Sequence, residues 1–150
     1  MKHVLLFFFA FFLLCQSCFA ADYVSGKHIW IWQKAQIGEA VEDGELVFAF
    51  KIISGRTGRY ATPEGDFRIY EKKGWGYTNH EGVDMPFAMF FFRRYALHGW
   101  SRSEPFPTDE ERPWLASHGC VSVDVVIERL YNWAPVGTEV HVHDERIGYR

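Results

Sequence analysis

Residues 117–121 read Ser-His-Gly-Cys-Val (SHGCV). Cys120 is one of three cysteines; the others, Cys15 and Cys18, lie in the first twenty residues. That opening, MKHVLLFFFAFFLLCQSCFA, has a short basic start at Lys2 and His3. An unbroken apolar run of eleven residues follows from Val4 to Leu14, with small residues at Cys18 and Ala20. It reads as a secretory signal peptide over residues 1–20. The run is too short to span a bilayer, which takes roughly 20 apolar residues. A lipidation signal would place a leucine or similar where Cys15 stands. The expectation is an exported protein with no stable membrane anchor after cleavage. Cys120 is then alone in an oxidising compartment, where cysteines are usually paired. An unpaired thiol there is a liability unless its reactivity is used. The bland alternative is a small buried hydrophobe, but Ser117, His118 and Gly119 make a poor core set.

Working outward, residues 21–150 have the length of one domain. Charged residues are 23% of the chain, as in globular proteins, and aromatics are 18%, enough buriable area for a modest chain to build a core. Loss of Lys2 with the signal leaves 15 basic against 19 acidic residues, a formal charge of −4. Such a surface suits neither nucleic acid nor an anionic membrane face.

The pattern is mostly strand. Ile29–Gln33 (IWIWQ) is aromatic and β-branched, and Asp43-Gly44 signals a hairpin between Ile37–Val41 and Leu46–Ile53. Leu46–Ile53 is apolar almost throughout, which predicts cover on both faces. Residues 54–65 (SGRTGRYATPEG) are loop, and Thr62-Pro63-Glu64-Gly65 is first of all a turn. Asp66–Glu71 reads as a strand, Lys72–Pro86 as a surface excursion, and Phe87–His98 as one long strand ending on a histidine. Gly99–Ala116, with three prolines, is a long irregular segment between two histidine-bearing motifs and reads as a wall or lid. Asp124–Trp133 is the clear helix, with Asp124 as N-cap. Thr138–His143 alternates, which places His141 and His143 on a solvated strand face.

A cysteine that does chemistry needs a thiolate near neutral pH, whereas an isolated thiol titrates at roughly 8.5. His98 or His118 can accept the proton, a helix starting after Cys120 would add a favourable field, and Gly119 permits close backbone approach. The residues alone therefore admit a cysteine acyl-transfer site.

The sequence resembles the L,D-transpeptidase catalytic (YkuD) domain in four ordered blocks. His98-Gly99 and, 18 residues further on, Ser117-His118-Gly119-Cys120-Val121 match its signature. ISGRTGRYATPEGDF (53–67) resembles its glycine and Thr-Pro-x-Gly region, MPFAMFF (85–91) the strand before the first histidine, and LYNWAPVGTEVHV (130–142) its closing helix and strand. The resemblance implies a mostly β, sandwich-like fold with one packed helix. It implies Cys120 as nucleophile, His98 as base, the Gly99 carbonyl orienting that histidine, and His118 in support. The amides of Gly119 and Cys120 would shape an oxyanion hole. Ser117, Trp100 and Arg102 are expected to contact substrate. The implied substrate is a peptidoglycan tetrapeptide stem, cut between a diamino acid and D-alanine. The acyl group would pass to another stem in a 3→3 cross-link, or to a lipoprotein, a free D-amino acid or water. The family's usual arginine two residues after the cysteine is Ser122 here, with Arg93, Arg94 and Arg102 as candidate substitutes.

The rival readings are a hydrolase on the same scaffold and a non-catalytic wall-binding module. His98, His118 and Cys120 would also suit zinc, but no fourth ligand stands at a familiar spacing, so neither metal nor cofactor is expected. Trp75, Tyr77 and Trp100 read as cover for a small core, and Asp109–Arg112 as a solvated charge run.

Overall fold

The computed structural model describes residues 25–55 and 58–146. The segment read as a signal peptide lies outside them. Among the described residues no helix is long and apolar enough to cross a membrane.

The strands are β1 (Lys27–Trp32), β2 (Ile37–Glu42), β3 (Glu45–Ile53), β4 (Gly65–Arg68), β5 (Glu71–Lys72), β6 (Met89–Phe92), β7 (Tyr95–Gly99), β8 (Val121–Val123) and β9 (Glu139–His143). One helix, α1, covers Ile127–Trp133. The strands form one sheet in the order β4-β9-β1-β2-β3-β8-β7-β6-β5. The sheet curls so that its ends meet: Phe67 of β4 packs against Phe91 and Phe92 of β6, with ring centroids 5.4 and 5.0 Å apart. The two layers expected of a sandwich are thus two halves of a single curled sheet. Between them lies an apolar core that includes Ile29, Ile31, Ile52, Leu97, Val121, Val140 and Val142.

Local chemistry explains most elements. Asp43 and Gly44 both take positive φ, 52° and 78°, as a tight hairpin requires. The strand β3 departs from its apolar reading: Leu46 and Val47 stay exposed, and only its second half, from Phe50, enters the core. A continuous apolar run cannot distinguish the half of a strand that projects past its cover.

Phe87–His98 is a hairpin rather than one strand. Arg93 adopts φ 48° and turns β6 into β7 without a glycine to announce it. Asp66–Glu71 likewise divides. β4 pairs with β9 and β5 with β6, so this segment carries the chain from one half of the sheet to the other. α1 begins at Ile127, later than expected. The Asp124 carboxylate accepts hydrogen bonds from the Val126 and Lys51 amides, and so holds the turn before the helix. Ile127 and Leu130 face the core.

Candidate active site

The parallel pair β7–β8 builds the site. His98 lies opposite Ser122, and Leu97 opposite Val121. Side chains alternate along strands, so His98, Ser122 and Cys120, which directly precedes β8, project to the same face. All three line one cavity of about 780 Å³. A spacing of 22 residues is thereby closed by one strand pairing. Cys120 is half-buried and His98 is buried.

The His98 Nδ1–H donates to the Gly99 carbonyl at 2.7 Å, the orienting contact expected of that carbonyl. This fixes the tautomer and leaves Nε2 as the basic nitrogen. Gly99 is itself held by its amide, which donates to the Pro86 carbonyl at 2.8 Å. Burial pushes the His98 pKa down to about 4, against a smaller upward pull from the Gly99 hydrogen bond. Burial also raises the Cys120 thiol above its ordinary value, with the Ala96 backbone opposing weakly. Both shifts favour the neutral pair, so at pH 7 the resting site holds thiol and imidazole, not thiolate and imidazolium. The thiol hydrogen bond runs to the Arg94 carbonyl at 3.7 Å.

The Ser117–Cys120 loop is shaped by its own polar groups and by Thr62. Ser117 Oγ accepts the Gly119 amide at 3.0 Å and donates to the Cys120 carbonyl. The Gly119 amide is therefore committed within the turn, which corrects its expected place in an oxyanion hole. Ser117 is a turn former at the cavity rim, its hydroxyl occupied on both sides. Gly119 has φ 112°, and an added Cβ would lie 2.5 Å from Tyr95 Cε1. Thr62 Oγ1 donates to the Gly119 carbonyl at 2.8 Å and accepts the Gly55 amide at 2.9 Å. The turn Thr62–Gly65 thus also clamps the cysteine loop, a role the sequence reading missed. The signal was present as a small polar residue flanked by glycine-rich loop.

The other expected residues fall in different places. His118 is exposed on the cavity wall, its ring 4.8 Å from that of Tyr60. Trp100 lines the cavity and is braced edge-on by Phe106. Arg102 does not line it. Its guanidinium is bound to Asp84 and, at 3.0 Å, to Thr78, so it ties Gly99–Ala116 to the Lys72–Pro86 excursion rather than reaching substrate. Arg93 stacks over Phe92. Of the three candidate substitutes only Arg94 faces the cavity, joined by Arg59, which the sequence reading passed over. Tyr77 covers the small cluster of Met85, Ala88, Phe90 and Ala96 and also lines the cavity, while Trp75 is exposed and rests on Phe87. The wall over residues 99–116 is anchored by Arg112. Its Nη1 donates to the Gln36 carbonyl at 3.0 Å and its Nη2 to Asp109 at 2.8 Å. This corrects the reading of Asp109–Arg112 as wholly solvated.

A pinned imidazole and a half-buried thiol thus line one cavity. The chain belongs to the L,D-transpeptidase catalytic domain family (YkuD), which matches residues 26–142. Among solved structures it is similar to an L,D-transpeptidase from Stackebrandtia nassauensis, at 27% identity and TM-score 0.68, covering 85% of this chain and 62% of that one. An L,D-transpeptidase from Xylanimonas cellulosilytica is 34% identical with TM-score 0.61, covering 81% of this chain and 62% of that one. The Enterococcus faecium L,D-transpeptidase, at 20% identity and TM-score 0.67, shares the fold, over 80% of this chain and 50% of its own. The chain thus spans about three-fifths of the first two relatives. No curated protein matches it.

Proposed function

We propose that the protein is a peptidoglycan L,D-transpeptidase acting outside the cytoplasm, with Cys120 as nucleophile and His98 as general base. The observation that carries this is the convergence of Cys120 and an Nδ1-pinned His98 on one cavity, within the family's domain. On substrate binding, His98 Nε2 takes the thiol proton as sulfur adds to the carbonyl carbon at the L-centre of the diamino acid. The amide of Cys120, beside the sulfur, is the donor we assign to the developing oxyanion, since that of Gly119 is committed to Ser117. An imidazolium whose pKa is about 4 releases its proton readily, here to the departing D-alanine amine. The thioester is then attacked by the amine of a second stem. His98 takes that amine's proton and returns it to sulfur.

The test is incubation of the purified chain with tetrapeptide-bearing muropeptides. A thioester adduct on Cys120 by intact mass spectrometry, followed by 3→3 dimers, is the expected result. Tripeptide without dimers identifies water as acceptor and a hydrolase. No adduct at all overturns the enzyme reading in favour of a wall-binding module.

A further inference from the structure

A second cluster of histidines lies on β1 and β9, with β2 and β3 between it and the site strands β8 and β7 in the sheet order. His28 Nε2 donates to the Ser25 carbonyl at 2.8 Å, and His141 Nδ1 donates to Asp66 Oδ1 at 2.6 Å. A carbonyl and a carboxylate can only accept, so in the neutral rings both protons lie on these outer nitrogens. The inner nitrogens, His28 Nδ1 and His141 Nε2, then carry lone pairs and face one another at 3.0 Å. Both residues are buried. Glu139 completes a triangle, its Oε2 at 3.4 Å from His28 Nδ1 and 3.6 Å from His141 Nε2. Its other oxygen is held by Arg68.

We propose that His28, His141 and Glu139 form a binding site for a divalent transition metal of the zinc class. A proton shared between the two nitrogens would make the pair a cation with Glu139 at ion-pair distance, so proton and metal are told apart by the test below. A metal accounts for all three atoms. Ligands at about 2.0–2.1 Å around a tetrahedral ion stand about 3.3 Å from one another, and the edges here are 3.0, 3.4 and 3.6 Å. The outer contacts to Ser25 and Asp66 are the arrangement that orients ligating imidazoles and raises their basicity. The ring planes lie within 16° with centroids 5.3 Å apart, so the lone pairs point along the line between the rings. An ion held off that line, toward Glu139, would require each ring to turn from the orientation its outer contact sets. Imidazole with carboxylate suits zinc, copper or nickel rather than calcium or magnesium.

The experiment uses the full chain carrying Cys15→Ala, Cys18→Ala and Cys120→Ala, so that no thiol contributes. After dialysis against zinc and then buffer, about one equivalent by elemental analysis is expected, with a tetrahedral visible spectrum when cobalt(II) replaces zinc. His28→Gln, His141→Gln and Glu139→Gln lose it. Asp66→Asn, at an exposed position that leaves the fold intact, weakens binding roughly 10-fold or more. His143→Gln, next on the same strand face, retains it. Absence of bound metal in this thiol-free chain overturns the site, as does full retention in folded Glu139→Gln or Asp66→Asn. A shared N–H···N proton resonance that persists with zinc in excess overturns it too.

Discussion

The two histidine clusters use the same device to different ends. On β7, His98 has one nitrogen pinned by a backbone carbonyl, and the residue lines a cavity that Cys120 also lines. On β1 and β9, His28 and His141 are pinned the same way, but their second nitrogens face each other. In both places the acceptor on the outer nitrogen decides where the remaining lone pair points. What the lone pair meets decides its use: a mobile proton in the proposed reaction at the cavity, a fixed cation in the proposed metal triangle. Strand pairing sets the contrast. The β7–β8 pairing leaves a cavity above the pair, whereas β9 lies in the sheet between β1 and β4, which places Asp66 and His28 on either side of His141.

The largest expected effect lies on the cavity side. Cys120→Ser should lower turnover roughly 10⁴-fold or more, because a hydroxyl beside a base of low pKa is far less ionised. Quantifying the adduct and the rate checks this, and an unchanged rate would break the assignment. His98→Gln should cost about 10²–10⁴-fold. The pH dependence sharpens the point. A free-enzyme base with pKa about 4 keeps kcat/KM level down to that pH, with no acid limb near the ordinary histidine value of about 6.5. Stability carries the same signature with a defined sign. The unfolded chain gains the proton first, so stability is full above about pH 6.5 and falls toward pH 4, by roughly 3 kcal/mol at most. Denaturant melts of the parent and His98→Gln between pH 7 and 4 should converge as the pH drops. Parallel curves would mean that His98 titrates normally.

How much of this was legible in the sequence differs between the two clusters for physical reasons. The cysteine loop announces itself because its residues are contiguous and its glycine cannot be replaced. His98-Gly99 reads because the orienting carbonyl is one residue away. The His28–His141 contact spans 113 residues, and nothing local marks it. Alternation along β9 separated the valines from the histidines correctly. It said nothing of what covers the histidine face, which here includes the Trp30 ring, 4.0 Å from His141. The face read as solvated is therefore stacked and buried at His141. The Arg93 turn was missed because a non-glycine residue takes positive φ inside an apolar run. The distribution of Arg94, Arg102 and Arg112 between cavity and scaffold depends on which carboxylates and carbonyls tertiary packing brings near.

The loop that carries Cys120 gives two smaller tests of whether its rigidity belongs to the site. Gly119→Ala forces a Cβ onto Tyr95 at a backbone angle that L-residues resist, and should cost about 3 kcal/mol. Removing the ring with Tyr95→Ala should not recover all of it, because the backbone strain remains. Thr62→Val is gentler and more informative. Valine keeps the shape but deletes the hydroxyl, leaving the Gly55 amide and Gly119 carbonyl without the side-chain partner that bridges them. An unsatisfied buried group costs about 1–3 kcal/mol. The backbone bond from Thr62 N–H to the Gly55 carbonyl at 3.1 Å survives the change and limits the loss. A destabilisation of about 2 kcal/mol is expected. If the clamp also sets the sulfur, acylation should slow by more than the folded fraction accounts for, and addition of substrate should not restore the rate. A variant destabilised by that amount with an unchanged acylation rate per folded molecule would show that Thr62 supports the fold of the loop but not the aim of Cys120.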